Sequence, residues 1–236
     1  MKENIKNFEL AKYLNLEHHS KLKRLKAHFR AGLGGVSLIS LHPETPELGE
    51  TNVTPSNAES KINLLLKKKE PGRPTPEKSL QAWLIQKVIF DSPPDFWRTL
   101  SLRFLTSELR IANNGTTIVN DILACDSHGG LWVIELKSKR DLTTLIAQCN
   151  SFSQAILNDK EFFSSLITVH SDNADSHCWD GETIRKMIIW PESPSGKPSI
   201  TTKEKIRNNA IHEVEYGHTG NGSYYFKSNF TQTRKL

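Results

Sequence analysis

Residues 118–139 read IVNDILACDSHGGLWVIELKSK, and this stretch decides the fold. Two runs rich in Ile, Leu and Val flank a turn at SHGG, the pattern of two antiparallel strands joined by a hairpin. Side chains alternate along a strand, so Leu131, Val133, Glu135 and Lys137 share one face and Trp132, Ile134 and Leu136 the other. Both faces are apolar apart from Glu135 and Lys137, which places the strand inside a sheet covered on both sides. A carboxylate and an ammonium held there cost several kcal/mol unless they are paired or hold an ion.

A three-residue loop, Ser127-His128-Gly129, with glycine in the left-handed position, sets Asp126 across from Gly130. Counting back along both strands then sets Asp121 opposite Glu135 on the same face, with Cβ atoms about 4.5–5.5 Å apart. A two-residue loop would turn Asp121 to the other face. Two carboxylates at that spacing repel, and one divalent cation between them removes the repulsion. Hard oxygen ligands of this kind suit Mg²⁺ or Mn²⁺. Lys137, next along the face, points toward a water or a scissile phosphate beside the ion. Its charge can orient and acidify an attacking water and stabilise a pentavalent phosphorane. These are the parts that phosphodiester hydrolysis needs.

Outward from the hairpin, a helix starts at Thr75 or Pro76, with Leu80, Trp83, Leu84, Lys87 and Val88 at helical spacing and Glu77 in its first turn, where the helix dipole favours a carboxylate. An irregular DSPPDFWRT follows. Strands are predicted over 107–112, 116–125 and 131–138, a helix over 142–157, and further strands over 184–190 and 211–216. The order helix, three strands, helix, strand is an α/β arrangement with a mixed sheet.

Upstream, residues 8–30 carry two helical stripes, Leu10, Tyr13 and Leu14, then Leu22, Leu25 and Phe29, with Ser20 as N-cap and Gly32 as stop. The second is basic through Lys21, Lys23, Arg24, Lys26 and Arg30, which fits phosphate contact and a solvated face equally well. The GLGG at 32–35 reads as a turn before a strand-like VSLISL, because it lacks dinucleotide-binding spacing and opens no helix. Residues 42–60 have three prolines and no periodic apolar face, the composition of a linker, and Lys67–Lys69 reads as a solvated tether. The chain thus divides into a small helical, basic region over 1–40, a linker over 41–75 and a main domain over 76–236.

The net charge of +5 is unevenly spread. Residues 1–30 hold eight Lys/Arg against three acids, 31–60 only four acids, and 61–75 five bases against one acid. The remaining 161 residues, with 18 of each sign, are neutral, which excludes a uniformly basic nucleic-acid coat. Three cysteines exclude a disulfide scaffold and suggest a reducing compartment. No apolar run is long enough for a membrane span, and MKENIKNFELAKYL lacks a signal-peptide core, so a cytoplasmic protein with no membrane partner is expected.

Asp121, thirteen intervening residues and then Glu135-Leu136-Lys137 resemble the PD-(D/E)XK nuclease superfamily, and the order of elements is similar to its restriction-endonuclease-like αβββαβ core with a mixed central sheet. The resemblance covers about Glu77 to Trp190. It implies Asp121 and Glu135 as metal ligands, the Leu136 carbonyl as a further ligand for Mg²⁺ or Mn²⁺, and Lys137 as the catalytic lysine. It implies catalytic roles for Glu77 on the first helix and Gln148 on the helix after the motif, where Gln148 and Phe152 form a QxxxF similar to the QxxxY of some branches. The proline that precedes the family's aspartate is Asn120 here. The activity implied is that of a Mg²⁺-dependent endo- or exodeoxyribonuclease acting on DNA, with RNA still open as substrate and a homodimer as one arrangement such nucleases use.

Two other readings stand beside this one: a nuclease-fold module that binds nucleic acid or protein without turnover, and a structural protein in which the three residues coincide by chance. Glu108, in the preceding strand, reads as exposed rather than as an extra ligand, and Lys139 and Arg140 as strand-end residues near phosphate or solvent. His170, His177 and Cys178 make a poor zinc site for want of a fourth ligand. Cys125 and Cys149 read as small buried hydrophobes, and Trp97, Trp179 and Trp190 as packing residues.

Overall fold

The computed structural model describes residues 2–25, 27–32, 35–40, 52–67, 75–90, 92–113, 116–170, 179–193, 199–220 and 222–228. The chain opens with helices α1 (Lys2–Glu17) and α2 (His19–Leu25), followed by a hairpin of β1 (Ala27–Gly32) and β2 (Gly35–Ser40). Helices α3 (Pro55–Lys67), α4 (Pro76–Phe90) and α5 (Asp95–Thr99) lead to three strands, β3 (Arg103–Asn113), β4 (Thr116–Cys125) and β5 (Leu131–Leu136). Then come α6 (Leu142–Asn158), α7 (Lys160–His170), β6 (Ile184–Pro191), α8 (Ile200–Asn208), β7 (Ile211–His218) and β8 (Tyr224–Ser228).

The main sheet has six strands in chain order, β3 to β8. The pairs β3–β4, β4–β5 and β7–β8 are antiparallel, and β5–β6 and β6–β7 are parallel, so the sheet is mixed as the sequence suggests. Every residue of β5 is buried. On β6, Met187 and Ile189 enter the large core while Ile188 and Trp190 enter a second one with Leu145, Cys149, Ile206 and Ile211. Alternating side chains therefore supply a core on each face, with α6 and α8 contributing to the second.

The hairpin register is the one set by the three-residue loop. Ile122 faces Ile134 and Cys125 faces Leu131, Asp126 N–H donates to Gly130 O at 2.9 Å, and Gly129 has φ +82°. The buried Asp126 locks it. Its Oδ1 accepts from His128 N (2.8 Å) and Gly130 N (2.9 Å), and its Oδ2 from Trp132 Nε1 (2.7 Å) and Arg185 Nη1 (2.6 Å). A Cβ on Gly130 would lie 2.6 Å from Asp126 Oδ2, so glycine is required where the carboxylate closes on the turn.

The N-terminal region departs from expectation. Residues 27–32 form a strand, not the end of a helix. Ala27, Phe29 and Ala31 alternate with His28 and Arg30 and all five are buried; the Leu22–Leu25–Phe29 spacing hid this period of two. Pro55–Lys67 is a helix rather than linker. Pro55 occupies its first turn, where a missing N–H costs nothing, and Ala58, Ile62 and Leu65 form a buried stripe. Phe8, Leu14, Phe29 and Ile62 share one continuous core with Leu80, Trp97, Ile134 and Phe163, so the N-terminal elements are integral to the main domain. Helix α7, with Phe162, Phe163, Leu166 and Ile167 buried, and α8, N-capped by Ser199 onto Thr202 N (3.1 Å), are additional to the sequence reading, as is edge strand β8.

Cys125 is disulfide-bonded, and Cys149 is free. Both are buried in hydrophobic cores, as the sequence reading has them, and the disulfide at Cys125 is additional to that reading. Trp97, Trp179 and Trp190 are buried packing residues. His177 and Cys178 lie outside the described residues. Among the described residues no helix is long and apolar enough to cross a membrane.

Replacing Asp126 by Ala removes four acceptor contacts and leaves Arg185 without its carboxylate. We expect a loss of about 3 kcal/mol in urea unfolding. A loss below about 1 kcal/mol would show that the turn holds its register without this side chain.

Candidate active site

The β4–β5 ladder runs from Cys125–Leu131 to Ile122–Ile134, and just past it side chains take over from the main chain. Asn120 Nδ2 donates to Ile134 O at 3.1 Å and to Glu135 Oε1 at 2.9 Å. Leu136 N–H donates to Asp121 Oδ2 at 2.8 Å. The two strands part here, and the gap between them is lined by Asn120, Asp121 and Glu135. Asn120 stands where the resembled family has proline, and proline could make neither of its side-chain bonds.

Asp121 and Glu135 lie close enough that the Asp121 side chain acts on the Glu135 carboxyl. Glu135 is 1% exposed. Burial, and after it the Asp121 charge, push its pKa well above the carboxylate range. Burial likewise raises Asp121 to about 6, against the pull of the Leu136 N–H and Lys137. Both carboxyls therefore release their protons at higher pH than either would alone in water. Lys137 behaves oppositely. Its burial alone would lower its pKa, but Asp121, Glu77 and Glu135 outweigh it and hold it above the lysine value, so it stays cationic. Its Nζ lies 3.3 Å from Glu77 Oε1, joining the first turn of α4 to the site, and its main chain is fixed by Ile189 O (3.0 Å) and Tyr216 OH (3.4 Å).

A third carboxylate completes the row. Ser107 faces Ile122 and Leu109 faces Asn120, which puts Glu108 beside Asp121 on the adjoining strand. Glu108 is buried, not exposed as its position in the sequence suggested. It has φ +54°, a left-handed conformation that costs a non-glycine residue about 1–3 kcal/mol. Burial opposes its charge, yet Lys78, Gln81 and Arg30 together hold its pKa below the glutamate value. Lys78 Nζ bonds Glu108 Oε1, Arg30 Nη1 lies 3.4 Å from Oε2, and Gln81 Nε2 donates to Asp121 O at 2.9 Å. Arg30 thus serves a buried carboxylate and is not available for phosphate.

Gln148 lies on α6, next to Cys149, whose thiol is pushed up by burial and by Glu135. Its Oε1 is buried with no partner among the described residues, and it makes no hydrogen bond to Asp121, Glu135 or Lys137. Phe152 is core, edge-on to Phe163 at 6.2 Å. Arg140 is already engaged, 4.0 Å over the Trp190 ring and bonded to Glu215 (2.6 Å), Glu213 (3.2 Å) and Pro191 O (2.7 Å). Lys139 is exposed.

The donor set fits a hard divalent ion. It offers two neighbouring carboxyls, both made harder to ionise by burial, and the Leu136 carbonyl next in sequence. Asn120 Oδ1, buried without a partner, leaves room for a donor such as a water at the same gap. Among the described residues no three His, Cys, Asp or Glu side chains converge as a metal cluster, so the carbonyl and water must complete any coordination shell.

No family model matches the chain, and no characterised protein matches it in sequence. Among solved structures it is similar to a chain in the "Structure of EndoMS-dsDNA2 complex", over 63% of this chain and 48% of that one, at 17% identity and a TM-score of 0.33. An overlap that shallow, spanning about half of the other chain, carries no argument about fold or function.

A carboxyl whose pKa is raised on folding stabilises the protonated form, and that contribution is lost as pH climbs from the ordinary value, 3.8 for Asp121, through the raised one, about 6. Other carboxyls such as Glu108 act in the opposite sense, so the comparison must be differential. In metal-free buffer, Glu135→Gln should gain stability relative to wild type as pH rises above the ordinary glutamate range. A gain of about 1 kcal/mol moves Tm by about 2–4 °C. Parallel Tm-against-pH curves for the two proteins would mean that folding does not raise the pKa of the Glu135 carboxyl.

Proposed function

We propose that this protein is a divalent-metal-dependent nuclease of the PD-(D/E)XK type that hydrolyses phosphodiester bonds in DNA. The observation that carries this reading is the neighbouring Asp121–Glu135 pair where two strands part, Glu135 buried and Asp121 half-buried, with the cationic Lys137 two residues beyond Glu135. The helix–three-strand–helix–strand order around the mixed sheet agrees with it.

Asp121, Glu135 and the Leu136 carbonyl would hold Mg²⁺ or Mn²⁺. When bound, the ion supplies positive charge that polarises the phosphate and lowers the pKa of the attacking water. Lys137, tethered by Glu77, offers its ammonium to that water and to the negative charge that develops on phosphorus. Glu77 limits where Nζ can swing. Asn120 holds the Glu135 carboxylate in place by its Nδ2 bond, and Gln81 holds the strand carrying Asp121 by its bond to the main-chain carbonyl. Gln148, with its unsatisfied amide oxygen, is the residue on α6 available to a substrate or water.

The test uses pure full-length protein with single-stranded DNA, duplex DNA and RNA, in Mg²⁺ or Mn²⁺. Glu135→Ala and Lys137→Ala should each slow cleavage by about 100-fold or more. Mn²⁺ alone should raise the Tm of the wild type and not of Glu135→Ala, a readout independent of turnover. Cutting that survives Glu135→Ala would remove the assignment. The neutral balance of residues 76–236 favours a second reading, a nuclease-fold module that binds without turnover. Gel shifts without cleavage under any of these conditions would establish it.

A further inference from the structure

A cavity of about 420 Å³ lies between α1, β1, the end of α4, α5 and the start of β3. Its size falls in the range of small-molecule sites, about 300–1,000 Å³. Most of its wall is apolar, formed by side chains such as Phe8, Leu16, Val88, Trp97 and Leu105. Two of its polar residues are left unsatisfied. Nε and Nη2 of Arg103 are buried with no hydrogen-bond partner among the described residues, and so is Nδ1 of His28. His28 is otherwise accounted for, with Nε2 at 3.2 Å from Ser107 Oγ. Burial, and then Arg30, push its pKa down to about 3, so the ring is neutral.

Arg103 cannot escape its charge in that way, because a guanidinium does not deprotonate in proteins. Two guanidinium nitrogens of the half-buried Arg103, out of water and without an acceptor beside apolar surface, are costly until an acceptor meets them. No described Asp or Glu lines the cavity, and the other charged residue there, Lys12, is also a cation, donating to Val169 O at 2.9 Å. Among the described residues nothing supplies a negative charge to this cavity, so an anion entering it would meet Arg103. The apolar wall indicates that the rest of that molecule is hydrocarbon or aromatic.

We propose that this cavity binds an apolar molecule bearing a single anionic head, a carboxylate or a phosphate, with Arg103 holding the head and the aliphatic and aromatic wall holding the body. None of Glu77, Glu108, Asp121, Glu135, Lys137 or Gln148 lines it, so the inference stands independently of the nuclease reading.

The experiment titrates the full chain with decanoate, decyl phosphate, decanol and acetate by calorimetry and thermal shift, below the concentrations at which the amphiphiles self-associate. Saturable one-site binding of decanoate or decyl phosphate is expected, about tenfold or more tighter than decanol and than acetate. The tighter of the two anions identifies the head group. Arg103→Gln should lose the preference for the anion while its decanol affinity stays within about twofold, which also shows that the variant is folded. Ala31→Phe, which fills the cavity from β1, should abolish binding of all the long-chain probes while the far-UV spectrum and unfolding transition persist. The proposal fails if neither anion binds saturably, if decanol binds as well as decanoate, or if Arg103→Gln keeps the anion preference.

Discussion

The arrangement of this protein depends on one buried carboxylate, Asp126, which closes the β4–β5 turn on itself. In a strand pair a shift of one residue moves every side chain to the opposite face. With Asp126 facing Gly130, Asp121 and Glu135 meet; one position away, Asp121 would point into the opposite layer. The same carboxylate ties Trp132 on β5 and Arg185 on β6, so the lock extends to the parallel strand that abuts the site. Because β5 is buried throughout, slipping the register would also put its apolar residues against the wrong core. Packing and hydrogen bonding therefore enforce the same pairing.

Given that register, the chemistry of the gap follows from desolvation. Two carboxyls are brought together under cover, and burial raises both pKa values before their mutual repulsion is counted. The fold tolerates this because the neighbouring groups are selective. Asn120 and the Leu136 N–H each satisfy one carboxyl, and Lys137 provides charge from the same strand. Glu108 is treated differently. Lys78, Gln81 and Arg30 hold its pKa down despite burial, so adjacent acids in one row are shifted in opposite directions. The contrast comes from the donors that surround each acid, not from its depth.

The central hairpin, the mixed sheet and the meeting of Asp121 with Glu135 were legible in the sequence because period-two patterning and turn chemistry act locally. The parts that were not legible depend on distant partners. Asn120 looked like a missing proline, and its value lies in bonds to the next strand, fourteen and fifteen residues away. Glu108 looked like a solvent-facing glutamate until α4 and β1 covered it. Phe29 and Arg30 sat at helical spacing from Leu22 and Leu25, and only pairing with β2 makes them a strand. Prolines that read as linker punctuation include Pro55, which starts α3. The disulfide at Cys125 needs a partner that composition alone does not select.

The overall charge of +5 also takes on a different meaning in three dimensions. Its N-terminal excess fitted phosphate contact and a solvated face equally well, yet Arg30 lies inside against Glu108 and Lys21 is paired with Glu59. Phe8, Leu14 and Phe29 belong to the same core as Ile134, beside the site. Removing residues 1–40 would therefore strip apolar cover from the sheet and withdraw Arg30 from Glu108, whose charge in turn acts on Asp121. The N-terminal hairpin is coupled to the carboxylate row through that ion pair, so its contribution is to the electrostatic state of the site as well as to the core. A domain that is neutral over residues 76–236 can hold two adjacent buried acids only with cations placed residue by residue, and one of those cations comes from outside that range.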